Sequence, residues 1–150
     1  MKGVLVFAFF LGALWDATTS FLGIVGSFGV TEFNLDNLGS IGVYITALVG
    51  SGIVLALSLF SSKFWDENVD EELIVLRYFH IASVFFDGYT SYLGTAQNII
   101  LRKGSIGFIT IGIAEVWDNI NFEQQLILLF LTVAVTISPI MLSRIYQKSF

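Results

Sequence analysis

Four stretches dominate the chain: Val4 to Val25, Ile41 to Phe60, Leu73 to about Thr95, and Leu126 to Ile145. Each is mostly apolar and close to the roughly 20 residues that a helix needs to cross the hydrocarbon core of a bilayer. They predict an all-α polytopic membrane protein with four transmembrane helices. The composition agrees, since 55% hydrophobic and 13% charged residues with a mean hydropathy of +0.82 lie outside the range of soluble domains. A single proline and no low-complexity tract leave no long linker, so 1–150 is read as one domain. Absence of cysteine excludes disulfides, thiolate metal sites and thiol redox chemistry. The net charge of −5, with seven scattered basic residues, is unlike a nucleic-acid binder.

The run Ile106 to Ala114 is too short to span and is expected to be an interfacial or re-entrant piece. Lys2 followed by an apolar run through Leu14 imitates a secretory leader, but a motif shared with the third segment favours a retained span. Lys2, Lys63, Arg77, Arg144 and Lys148 fall on one side of the expected membrane and Arg102 and Lys103 on the other, which predicts cytoplasmic termini. The acidic linker Lys63 to Glu72 then reads as a solvated cytoplasmic turn. Trp65, Trp117 and Tyr146 fall near span ends, where amphipathic rings prefer the headgroup layer.

The shared motif is WDATTSFLG, Trp15 to Gly23, against FDGYTSYLG, Phe86 to Gly94. Further on, EFNLDNL from Glu32 resembles EVWDNI from Glu115, once about eleven extra residues near Gln97 to Phe108 are allowed. The chain therefore reads as two tandem helical-hairpin repeats, about 1–65 and about 72–150. Each holds an even number of spans, so the repeats are parallel. Asp16 and Asp87 should lie at similar depth, beyond the midplane from the termini.

Residues at i, i+3, i+4 and i+7 share one helix face. Asp16, Thr19, Ser20 and Gly23 have that spacing, as do Asp87, Thr90, Ser91 and Gly94; one turn back lie Gly12 and Ser83, and two turns back Phe9 and His80. Weaker stripes, Thr46, Gly50 and Ser58 on the second span and Thr132, Thr136 and Ser143 on the fourth, are expected to face inward. An aspartate at a helix centre costs about 2.5–3.5 kcal/mol to insert, so a pair at one depth requires a reason. One reason is a hydrated path or site for a cation or proton, lined by the carboxyls and by Thr19, Ser20, Thr90 and Ser91, with His80 as gate or relay. In a homodimer with the stripes on its axis, four aspartates would ring a pore. The other reason is helix-to-helix adhesion, or carboxyls capping a helix broken near Gly88.

No HExxH metal motif, GxSxG elbow or phosphate loop is present, the GSIG pairs at Gly39 and Gly104 carry no weight, and the glycine-framed signature of intramembrane aspartyl proteases is missing. The expected function is thus non-enzymatic, without cofactor or metal centre: a small channel or transporter-like protein for a cation or proton. The alternative is a non-catalytic anchor or structural subunit of a larger membrane complex. The expected partners are the lipid bilayer and further subunits, as a homo-oligomer or a larger membrane complex.

Overall fold

The computed structural model describes residues 2–66, 71–101 and 106–147, except the side chain of Glu72. Among the described residues there is no strand. The elements are α1 (Lys2–Ser27), α2 (Leu38–Leu59), the short α3 (Ser61–Phe64), α4 (Glu71–Thr95), a π-helical turn (Ala96–Leu101), α5 (Ile113–Asn119) and α6 (Phe122–Gln147). The basic residues Arg102, Lys103 and Lys148 and residues 67–70 of the expected acidic turn lie outside the described residues.

Helices α1, α2 and α6 are long and apolar enough to cross a membrane. The third expected segment falls within α4, which is as long but less apolar because Glu71, Arg77, His80 and Asp87 lie along it. Central α1 packs on α2, α4 and α6, and α4 also packs on α2 and α6. Large apolar side chains such as Phe7, Leu48, Phe79, Phe85 and Phe130 point outward, as they should where the surroundings are acyl chains and not water. The buried apolar core is small and gathers at the end of the bundle away from the termini, around Leu22, Val25, Leu93, Ala96, Ile109 and Leu128.

With no hydrophobic force to join helices in lipid, close backbone approach and interhelical hydrogen bonds must do so. At the terminal end, Gly12 lets α1 lie directly on Ser138 of α6, beside Pro139. Thr132, Thr136 and Ser143 on α6 are buried, as is Ser58 on α2. Thr46, expected on the same inward face of α2, is instead exposed. Its hydroxyl donates to the Gly42 carbonyl at 2.9 Å, and a hydroxyl satisfied within its own helix no longer needs an inward partner.

Segment 106–112 is extended and re-enters the bundle, where Ile109 N–H donates to the Leu22 carbonyl of α1 at 3.2 Å. The π-helical turn secures it. Gln97 donates to the Phe108 carbonyl at 2.7 Å and accepts from Thr110 N–H at 2.9 Å, while Asn98 accepts from Gly107 N–H at 2.7 Å. Without Gln97 and Asn98 these buried and half-buried backbone groups would lose their partners within the bundle.

Candidate functional site

Both motif helices run unbroken through their aspartates, so neither carboxyl caps a helix break and Gly88 causes none. What the motif does is bring α1 and α4 together on their small faces. Gly23 sits against Thr90, and Gly94 against Thr19: a Cβ on either glycine would stand 2.6 Å from the opposing threonine methyl. The methyl of Ile109, from the re-entrant segment, lies over both glycines.

Within that contact the polar groups interlock reciprocally. Ser91 donates to Asp16 Oδ1 at 2.8 Å, and Ser20 donates to Asp87 Oδ1 at 2.5 Å. Thr19 and Ser91 hydroxyls are 3.0 Å apart, and Ser20 and Thr90 hydroxyls 3.2 Å. Each threonine also reaches back to its own helix, Thr19 to the carbonyls of Trp15 and Asp16 and Thr90 to those of Phe86 and Asp87. Each serine hydroxyl has one proton, so donation to a carboxylate leaves its oxygen free to accept.

The cluster is buried. Asp16 and Asp87 are each 1% exposed, and Thr19, Ser20 and Ser91 fully buried. Asp87 Oδ2 has no hydrogen-bond partner among the described residues, and the crossed serine bonds bring the two acids close together across the α1–α4 contact. Two carboxylates in contact repel strongly unless a proton lies between them. Both acids are buried inside one chain, each served by the serine of the other helix.

Six of the seven expected site residues therefore meet, namely Asp16, Thr19, Ser20, Asp87, Thr90 and Ser91. His80 does not join them. Two turns before Asp87, about 10 Å along the helix axis, it accepts from the Trp65 indole N–H through Nδ1 at 3.1 Å and packs edge-on to Phe64. Residues outside the expected polar stripe complete the site. Trp15 donates across the interface to Thr95 Oγ1 at 3.0 Å, and Ile109 covers the cluster from a segment whose sequence gives only an interrupted apolar run.

A cavity of about 160 Å³ between Gly26, Tyr89, Thr90 and Ile109 reaches the cluster from the loop end. Another, of about 330 Å³, reaches His80 from the terminal end. Comparison with family models, with curated proteins and with solved structures finds no match for the chain.

Proposed function

We propose that this chain is a small transporter-like membrane protein in which Asp16 and Asp87 hold one exchangeable proton in an occluded site. The carrying observation is the carboxyl pair itself, buried, close together, and served by reciprocal serine donors. Adhesion alone could be achieved with neutral hydroxyls at lower insertion cost; an acid pair is explained by what an acid does, which is to take up and release a proton. A proton fits this donor set better than a metal ion. A hard cation takes six or more oxygens, whereas here one oxygen of each carboxyl is occupied by a serine and no third acid or histidine joins the pair among the described residues. Thr90, in the wall of the smaller cavity, hydrogen-bonds to Ser20 and so links that cavity to Asp87.

In this reading α4 is the fourth span. Its exposed positions from Tyr78 to Tyr89 are aromatic or aliphatic, its carboxylate is buried, and Arg77 is turned onto the Phe64 and Asp66 carbonyls. The reciprocal bonding supports two tandem hairpins descended from one, and the clustered basic residues at the terminal end support cytoplasmic termini.

The test is proton flux into liposomes under an imposed potential. Wild-type protein should conduct, and Asp16→Asn and Asp87→Asn should each abolish conduction while remaining folded. Flux unchanged in the double variant would refute the proposal. The second reading, a non-catalytic structural subunit clamped by the same cluster, is favoured by the completeness of the burial. It predicts no wild-type flux together with copurification of unrelated membrane chains.

A further inference from the structure

We propose that the terminal end of the bundle carries a binding site for a phosphoryl oxyanion, of the kind presented by an anionic lipid headgroup. The cavity of about 330 Å³ is lined by Ser61, Ser62, Trp65, His80, Ile140 and Arg144 and is the size of a small-ligand pocket. Its hydrogen-bonding groups are mostly donors. His80 is 6% exposed, and its Nδ1 is occupied by the Trp65 N–H, which places the proton of the neutral ring on Nε2. That buried Nε2 has no partner. A buried donor without an acceptor is costly, and nearly all such groups in native structures find a partner.

The groups beside it say which partner. Arg144 stands exposed in the cavity wall, and no described residue hydrogen-bonds or ion-pairs with its guanidinium. The other arginine of this end is committed, bonded to the Phe64 and Asp66 carbonyls and stacked on Trp65 at 5.5 Å. Ser62 and Ser143 hydroxyls pair at 2.8 Å, and since Ser143 Oγ also faces Ser62 N–H at 3.3 Å, one hydroxyl proton of the pair can serve a ligand. An imidazole N–H, a guanidinium and a hydroxyl together form an oxyanion receptor, with Arg suited to bidentate phosphate recognition. Asp66 borders the neighbouring cavity and not this one.

A lipid is favoured over a soluble anion because a larger, mostly apolar groove of about 640 Å³ along Leu59, Phe60 and Tyr146 adjoins the site through Ser62. The mouth of the site, at Ser62, Trp65 and Arg144, lies at the end of the bundle, at headgroup depth for helices of this length, with His80 about two turns further in along α4 from Leu73.

The chain has a single histidine, so 15N-histidine NMR of the protein in neutral micelles reads the site directly. Dihexanoyl phosphatidic acid should shift the Nε2 signal saturably, and dihexanoyl phosphatidylcholine should not. Arg144→Gln should weaken binding about tenfold, as expected for loss of one charge-assisted contact, with Arg144→Lys intermediate. An unchanged Nδ1 signal in these variants reports an intact Trp65 contact. Titration with inorganic phosphate separates the sources: a matching shift means that the oxyanion alone is recognised, and a response to the lipid only means that the headgroup is read with its chains. No saturable shift with either anion, equal response to phosphatidylcholine, or indifference to Arg144→Gln would overturn the assignment.

Discussion

Replacing Gly23 with alanine inserts one methyl group into the tightest part of the α1–α4 contact. Its Cβ would stand 2.6 Å from Thr90 Cγ2 and 3.1 Å from Thr90 Cβ. Ordinary carbon contacts are about 3.5–4.0 Å, so something must move by about 1 Å. Thr90 cannot easily yield, because rotating its methyl away also turns its hydroxyl from the Phe86 and Asp87 carbonyls and from Ser20. Overpacking of this kind costs about 1–3 kcal/mol. Alanine's helix preference over glycine, about 0.8–1.0 kcal/mol in water, offsets part of it. The expected net loss is therefore about 1 kcal/mol, the middle of a range of about 0–2 kcal/mol. Thr90→Ser removes the offending methyl and keeps the hydroxyl, so the double variant should recover to the stability of Thr90→Ser alone. Reversible unfolding in mixed micelles, run on all four proteins, measures this cycle. The same cycle applies to Gly94 and Thr19, where the Cβ again falls 2.6 Å from a threonine methyl. Gly26→Ala, by contrast, meets the backbone carbonyl of Ile109, and no side-chain substitution should rescue it. A Gly23→Ala protein more stable than wild type, or one that Thr90→Ser leaves unrescued, would refute the packing argument.

Ser20→Ala and Ser91→Ala each remove the donor to one carboxylate and should cost about 0.6 kcal/mol, up to about 1.7, as hydrogen bonds between membrane helices do; a thermodynamic cycle on the pair should show coupling, since both belong to one hydrogen-bonded cluster. Gln97→Leu removes a donor and an acceptor that hold segment 106–112, so amide exchange at Thr110 and Ile111 should accelerate markedly while the mid-helix amides of α2 keep their protection. Trp65→Phe keeps an aromatic ring but loses the N–H to His80, and the Nδ1 resonance should move while the carboxyl cluster, two turns away, keeps its own signals.

The polar cluster was legible because helical spacing sorts residues by face without reference to partners. Asp16, Thr19, Ser20 and Gly23 had to share a side, and an aspartate among apolar residues marks that side as one turned from lipid. Spacing could not give the cross-pairing, in which each aspartate is served by the serine of the other helix, because that depends on how far α1 slides along α4. Thr46 misled for a physical reason: a hydroxyl bonded to its own helix is compatible with either face. The re-entrant segment was expected from its length alone. Its place between α1 and α4 is set by side-chain bonds from Gln97 and Asn98 to backbone groups, and such pairs leave no periodic trace in a sequence. The lower apolarity of α4 follows from the same economy, since part of its polarity is spent on the buried face and on the contacts of Arg77.

The central claim is that Asp16 and Asp87 meet inside one chain. Solid-state NMR of protein in liposomes, labelled with 13C at the aspartate carboxyls, tests it without recourse to function. A through-space cross-peak between the two carboxyl carbons should be present, disappear in either Asp→Asn variant prepared from the same label, and survive dilution with unlabelled chains. A missing cross-peak, or one lost on dilution because the contact forms between copies, would contradict it.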